Sequence, residues 1–190
     1  MSIMNILSLS KSDLMITSYY KTGPFFLRLL KSIFSPSFLC ISLYRLSHLF
    51  GVLKVPLLPR IIWWVNFLFF KVDIDFRSRI YAGIYMPHPM SIVIGDGVKM
   101  NGFFKIMQGV TIGGNLGETK IVDGEVTKQP ILEGNMFLGI NTIIAGPLSI
   151  KGVFFFSAFS LVLDDLAGQH FYSKRLVKEL SEKQINEIYR

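Results

Sequence analysis

From residue 72 onward the apolar positions follow neither the period of a helix nor the alternation of a single strand; they recur at every sixth residue. Ile74, Ile80, Met86, Ile92, Val98, Phe104 and Val110 form one unbroken series. Ile94, Met100, Ile106 and Ile112 form a second, and Leu132, Leu138, Ile144, Ile150, Phe156 and Val162 a third. Hairpin strands imitate such spacing for a step or two but lose phase at their turns. The pattern predicts a mainly β fold, a parallel β-helix of three-sided coils, with one apolar residue per wall stacked on the axis. Small residues beside the inward positions, as in Ile94-Gly95, Ile112-Gly113 and Leu138-Gly139, are the expected corners.

The spacing fails over residues 113–131, which are polar and Gly-rich, and then returns in phase. This predicts a loop extruded from one corner, a common carrier of function on a rigid scaffold. The N-terminal third reads as helices instead. Gly23-Pro24 opens Phe25 to Phe34, Ser35-Pro36 breaks it, and Ser37 to Phe50 and Arg60 to Lys71 follow. Tyr172 to Arg190 is charged and helix-prone. The expected organisation is a helical segment over residues 1–71, a β-helix over 72–168 and a helical tail over 169–190.

Composition narrows the reading. Hydrophobic residues make up 51% of the 190-residue chain and charged residues 17%, which excludes disorder. The net charge of +7 is confined to residues 1–71, where eight Lys and Arg face Asp13 alone; the remainder carries 12 basic and 12 acidic side chains. Basic residues interleaved with Phe, Leu, Ile and Trp fit a membrane surface better than nucleic acid. The same segment equally fits a helical layer packed on the end of the β-helix with its charges at the rim. Ile61 to Phe70 is too short to span a bilayer, Arg45, His48, Lys54 and Pro56 break the preceding stretch, and the N-terminus lacks the order of a signal peptide. The expected location is cytoplasmic, with a peripheral contact at the inner face of the membrane. Cys40 is the only cysteine, so neither an internal disulfide nor a four-thiolate metal site is available.

Of three histidines, His48 is explained by helix packing or capping and His170 by a surface position where the coils end. His88 differs, because Pro87 and Pro89 fix the backbone around it just after the inward Met86. Asp73 lies fifteen residues earlier, close to one coil, so stacking brings the two together; Asp75 is a rival on the same face. A carboxylate holding one imidazole nitrogen makes the other a better base toward a hydroxyl.

These residues resemble the serine acetyltransferases and related hexapeptide-repeat enzymes that O-acetylate surface polysaccharides. The landmarks are Tyr44-Arg45-Leu46-Ser47-His48, Val72-Asp73-Ile74, the His88 segment, Ile92-Val93-Ile94-Gly95, Gly109 to Gly114 and Ser160 to Leu163, within residues 37–168. The resemblance implies a left-handed β-helix, a homotrimer, acetyl-CoA as donor without a metal, His88 as general base and Asp73 as its orienting carboxylate. It further implies CoA between neighbouring subunits near Gly113, Gly114 and Asn115, and beside Ile140 and Ala158.

The departures concern the acceptor. Lys128 and Gln129 stand where the serine enzymes have arginine and histidine, Pro87 replaces an aspartate before the catalytic histidine, and a second amine-binding aspartate has no counterpart. A desolvated ammonium group needs a carboxylate. The expected acceptor is therefore a sugar hydroxyl of a surface polysaccharide, free or lipid-linked, with Lys128 and Gln129 on the acceptor side. L-Serine is the alternative, and a non-catalytic assembly or membrane-associated subunit a third, since Phe154-Phe155-Phe156 threatens to fill a cofactor groove.

Overall fold

A computed structural model describes residues 3–172 apart from Ala82, Leu116 and Asp123. Four helices come first: α1 (Ile3–Tyr19), α2 (Phe25–Ile33), α3 (Pro36–Val52) and α4 (Leu58–Phe70). Ser35 caps α3 by accepting from the Phe38 amide at 3.3 Å, and Pro36 occupies the first turn. The strands follow as β1 (Asp73–Ile74), β2 (Arg79–Ile80), β3 (Gly83–Tyr85), β4 (Val93–Ile94), β5 (Lys99–Ile106) and β6 (Thr111–Gly113). The chain continues through β7 (Lys120–Val122), β8 (Glu125–Thr127), β9 (Ile131–Leu138), β10 (Ile143–Ala145), β11 (Ser149–Phe156), β12 (Leu161–Val162) and β13 (Leu166–Tyr172).

All pairings except β7 with β8 are parallel, and each joins one coil to the next. One wall is the sheet β1-β4-β6-β10-β12, and the long strands β5, β9, β11 and β13 bend to form the other two. Every residue of the three six-residue series is buried, none more than 2% exposed, so the period does report the axis of the prism.

The corners differ from expectation. Gly95, Gly113 and Gly139 are absent from the positive-φ positions. One corner turns instead at Ser91, Gly109, Asn141 and Phe159, all left-handed with φ of 53° to 73° and stacked coil upon coil. The bends of the long strands fall at Gly102, Gly134, Gly152 and Gly168, which pair in register with φ of 110° to 138°. A Cβ on Gly134 would lie 1.9 Å from the Gly152 carbonyl oxygen, so this column admits only glycine.

Residues 113–131 do leave the prism, and β7 and β8 make them an antiparallel hairpin with Ile121 and Val126 exposed. At the C-terminal end, residues 169–172 are strand, within β13, rather than the start of a tail. The helix expected over residues 172–190 otherwise lies outside the described residues.

The helical layer closes the first coil. The carbonyl oxygens of Phe76, Ser78 and Ile80 accept hydrogen bonds from His48 Nδ1 at 2.7 Å, Tyr44 Oη at 2.8 Å and Arg45 Nη1. On the next stretch, the Ile84 amide donates to Asp13 Oδ1 at 3.0 Å and the Met86 amide to Ser37 Oγ at 3.0 Å. Asp13 also accepts from Arg45 Nε at 3.0 Å, and both side chains are buried. Burial pushes the Asp13 carboxyl above its ordinary range, while Arg45 and the Ile84 amide pull it back. The Tyr44-to-His48 motif is thus built into the fold. The packing alternative holds for the inner side of this layer.

Candidate active site

His88 sits on a local excess of chain. Tyr85 pairs with Lys105 and Ser91 lies beneath Gly109, so six residues advance in this coil where four suffice in the next. The surplus is the Pro87-His88-Pro89 turn, closed by the Met90 amide donating to the His88 carbonyl at 2.8 Å. Pro89 packs inward and His88 is exposed. Sequence dictates this shape, because two prolines remove amides that a wall strand would have to pair.

Asp73 begins β1 at the same corner. The Ser91 amide donates to the Lys71 carbonyl and the Asp73 amide to the Ile92 carbonyl, each at 2.8 Å, so the chain leaving His88 lies directly over the chain entering Asp73. The Asp73 carboxylate is half-buried; its Oδ1 accepts from Trp63 Nε1 at 3.0 Å, and its Oδ2 has no partner among the described residues. No hydrogen bond joins it to the imidazole. Asp75, the rival, is committed elsewhere. It accepts from the Arg77 amide at 2.8 Å and from Arg77 Nε and Nη2, both at 3.0 Å. Partial burial raises its carboxyl, but the bonds from Arg77 outweigh this and hold it below the ordinary range.

Trp63 was not legible as a site residue; an indole on an apolar helix gives no signal of what its N–H meets. Arg60 covers the Trp63 ring at 5.7 Å and reaches toward Phe76 at 5.9 Å, fixing the indole from the solvent side.

Ile140 and Ala158 share the His88 corner. The Gly109 amide bonds the Met90 carbonyl, the Asn141 amide that of Gln108, and the Phe159 amide that of Ile140, so Met90, Gln108, Ile140 and Ala158 form one column. Gly139 lets this column close up: a Cβ there would lie 2.7 Å from the Ala158 nitrogen.

Gly113, Gly114, Asn115, Lys128 and Gln129 lie at the next corner, across the β1-β4-β6 wall from His88. Gly113 faces open space, with nothing within 4 Å of an added Cβ, whereas Gly114 lies against the returning loop, where an added Cβ would be 2.7 Å from the Lys128 carbonyl oxygen. The Gln129 side chain lies over Gly95, Gly97 and Gly114, and its buried Oε1 has no partner among the described residues. One chain therefore divides the candidate residues between two corners.

A cavity of about 490 Å³ opens on the wall leading into the His88 corner, lined by Tyr20, Lys105, Asn135, Phe137, Phe155 and His170 among others. The Phe154-Phe155-Phe156 run does not fill the corner column. Phe154 and Phe156 point into the core, and Phe155 stacks on Phe137 at 4.3 Å. Among the described residues no cluster of His, Cys, Asp and Glu could hold a metal ion.

No family model matches the chain. A serine acetyltransferase of Synechococcus elongatus is 29% identical over 131 residues, which are 69% of this chain and 51% of that protein. The Neisseria gonorrhoeae serine acetyltransferase in complex with serine superposes with a TM-score of 0.75 at 22% identity, covering 92% of this chain and 68% of that one. A serine acetyltransferase in complex with CoA gives a TM-score of 0.68 at 20% identity, covering 87% and 68%. The chain spans about half the length of the curated relatives it matches.

Proposed function

We propose, for a chain whose relatives in sequence and in fold are serine acetyltransferases, that it is an acetyl-CoA-dependent O-acetyltransferase acting by direct transfer. The observation that carries this is the Pro87-His88-Pro89 turn, which holds an exposed His88 at the same corner where the half-buried Asp73 begins β1. Asp73, steadied by Trp63 through one oxygen, has the other available to accept from the imidazole N–H. His88 takes the proton of the acceptor hydroxyl, and the oxygen attacks the thioester carbon. The carbon–sulfur bond breaks, and the proton on His88 passes to the departing CoA thiolate.

Acetyl-CoA is the acyl donor and supplies the thioester. The open space at Gly113 suits a backbone amide approaching the thioester oxygen, which it would stabilise as charge develops. The resemblance to serine acetyltransferases implies a homotrimer of left-handed β-helices, and the placement of His88, Ile140 and Ala158 at one corner and Gly113 at another is compatible with a site completed between subunits. In it the His88 corner of one chain meets Gly113 of the partner subunit. A cytoplasmic setting supplies acetyl-CoA.

For the acceptor, the named relatives favour L-serine over the sugar hydroxyl expected from sequence. The sugar reading keeps one support: Pro87 and Gln129 provide neither a carboxylate for an ammonium group nor an imidazole. Thiol release from acetyl-CoA, followed with L-serine and with hexose or aminosugar acceptors, decides between them. Turnover on serine matching or exceeding that on sugars establishes the first acceptor, and turnover on sugars alone the second. Absence of thiol release with every acceptor, together with no heat on titration of CoA, refutes the transferase reading.

A further inference from the structure

The outward side of the helical layer is built the wrong way round for water. In α2, Ser32 is fully buried and Arg28 half-buried, while Phe25, Phe26, Leu27, Leu30, Ile33 and the following Phe34 are exposed, Phe26 and Phe34 at 72%. In α4, the inward positions include Asn66, whose amide donates to the Cys40 carbonyl at 3.1 Å, while Ile61, Trp64, Leu68 and Phe69 face out, Phe69 at 77%. A surface helix of a water-soluble domain shows the opposite arrangement, and exposed apolar patches of this extent mark interaction sites.

Charge identifies the occupant. The single acidic side chain of residues 1–71, Asp13, is buried against Arg45. The seven other basic residues of this segment, Lys11, Lys21, Arg28, Lys31, Lys54, Arg60 and Lys71, are all at least partly exposed, so the charged side chains that the layer exposes are all positive. A second copy packed face to face would set these cations against one another without a counter-charge. An anionic lipid surface supplies both what the apolar side chains and what the cations require.

Among the described residues no single helix is long and apolar enough to cross a membrane. At 1.5 Å per residue α2 and α4 are roughly 14 and 20 Å long against a core of about 30 Å. The bent pair α2–α3 is no span either, since Tyr44, Arg45 and His48 of α3 are tied to the first coil. We infer that the α2 and α4 faces dock the protein in the interface of an anionic membrane, inserting Phe26, Trp64 and Phe69 without spanning it.

Flotation of the full chain with vesicles tests this. Recovery with phosphatidylcholine mixed with phosphatidylglycerol, and not with phosphatidylcholine alone, is expected, together with a shift of tryptophan emission to shorter wavelength. Raising the salt to about 1 M, where charges are screened beyond about 3 Å, is expected to release the protein. Phe26→Ser and Phe69→Ser should each weaken partition about tenfold or more, while Phe26→Trp retains it. These side chains are exposed, so the variants keep the fold, checked by an unchanged melting temperature. Equal recovery with both vesicle types, no recovery with either, or unaltered binding by the serine variants overturns the inference. So does self-association in sedimentation that the same variants abolish while leaving flotation intact. Vesicle binding needs no turnover, so its failure is distinct from failure of the transferase reading.

Discussion

Replacing Asp13 by alanine removes the acceptor on which the helical layer and the solenoid meet. Asp13 takes hydrogen bonds from Arg45 Nε at 3.0 Å, Arg45 Nη2 at 3.4 Å and the Ile84 amide at 3.0 Å, with essentially no exposure of either charged side chain. After the change the guanidinium stays buried and loses the Asp13 carboxylate as its counter-charge. Breaking a buried pair from one side costs about 3–5 kcal/mol, and the orphaned Ile84 amide falls within that range rather than adding to it. For a chain of this size about 4 kcal/mol corresponds to a melting temperature lower by roughly 8–16 °C. Urea unfolding at neutral pH, followed by far-ultraviolet circular dichroism, reads the difference directly. Asp13→Asn, which keeps an oxygen for the Ile84 amide, should lose less. Asp13→Leu combined with Arg45→Met should recover part of the loss, since no unpaired charge is left inside. A loss below about 1 kcal/mol for Asp13→Ala, or a double variant weaker than the single, would refute the reasoning.

Other outcomes follow from the same geometry. His88→Ala should remove thiol release from acetyl-CoA by about two to four orders of magnitude with an unchanged melting temperature, because the imidazole is exposed; retained turnover takes His88 out of the reaction. Burial holds the His48 imidazole below its ordinary value, the Phe76 carbonyl opposing and Arg45 assisting. A base with a depressed folded pKa contributes stability that is complete above about 6.5 and is lost as pH falls through the folded value. The urea midpoint should therefore fall on acidification below that point, and less steeply in His48→Gln. Burial pushes the Cys40 thiol up to about 12, so native protein should resist thiol-directed reagents at pH 8 and react only on unfolding. Gly134→Ala should abolish folding or cost several kcal/mol, since its Cβ would meet a backbone carbonyl at 1.9 Å; a soluble variant with unchanged stability would contradict the bend geometry.

The axis of the fold was legible because each wall contributes one inward side chain at a fixed interval, and the loop was legible because it broke that interval. The corners were less so. Inward residues flanked by glycine suggested Gly95, Gly113 and Gly139, yet chain reversal rests on backbone conformation, which Ser91, Asn141 and Phe159 adopt without being glycine. The column from Gly102 to Gly168 is hidden in sequence because the hairpin interrupts its spacing between Gly102 and Gly134. At the candidate site, stacking brought Asp73 to the corner of His88 as the fifteen-residue separation implied. The commitment of Asp75 to Arg77 and the indole of Trp63 on Asp73 depend on side-chain directions that no spacing encodes. Helix α1 and its contact to Ile84 were equally hidden, since the two partners lie 71 residues apart.

The side chains of Tyr44, Arg45 and His48 occupy alternate carbonyls along the lowest turn of the prism. A parallel solenoid is by nature an unfinished ribbon, ready to accept another strand at each extremity. With these three groups acting as a stopper, chains cannot thread end to end through that terminus into fibres. Replacing Tyr44, Arg45 and His48 would uncover these carbonyls as an open edge for strand pairing.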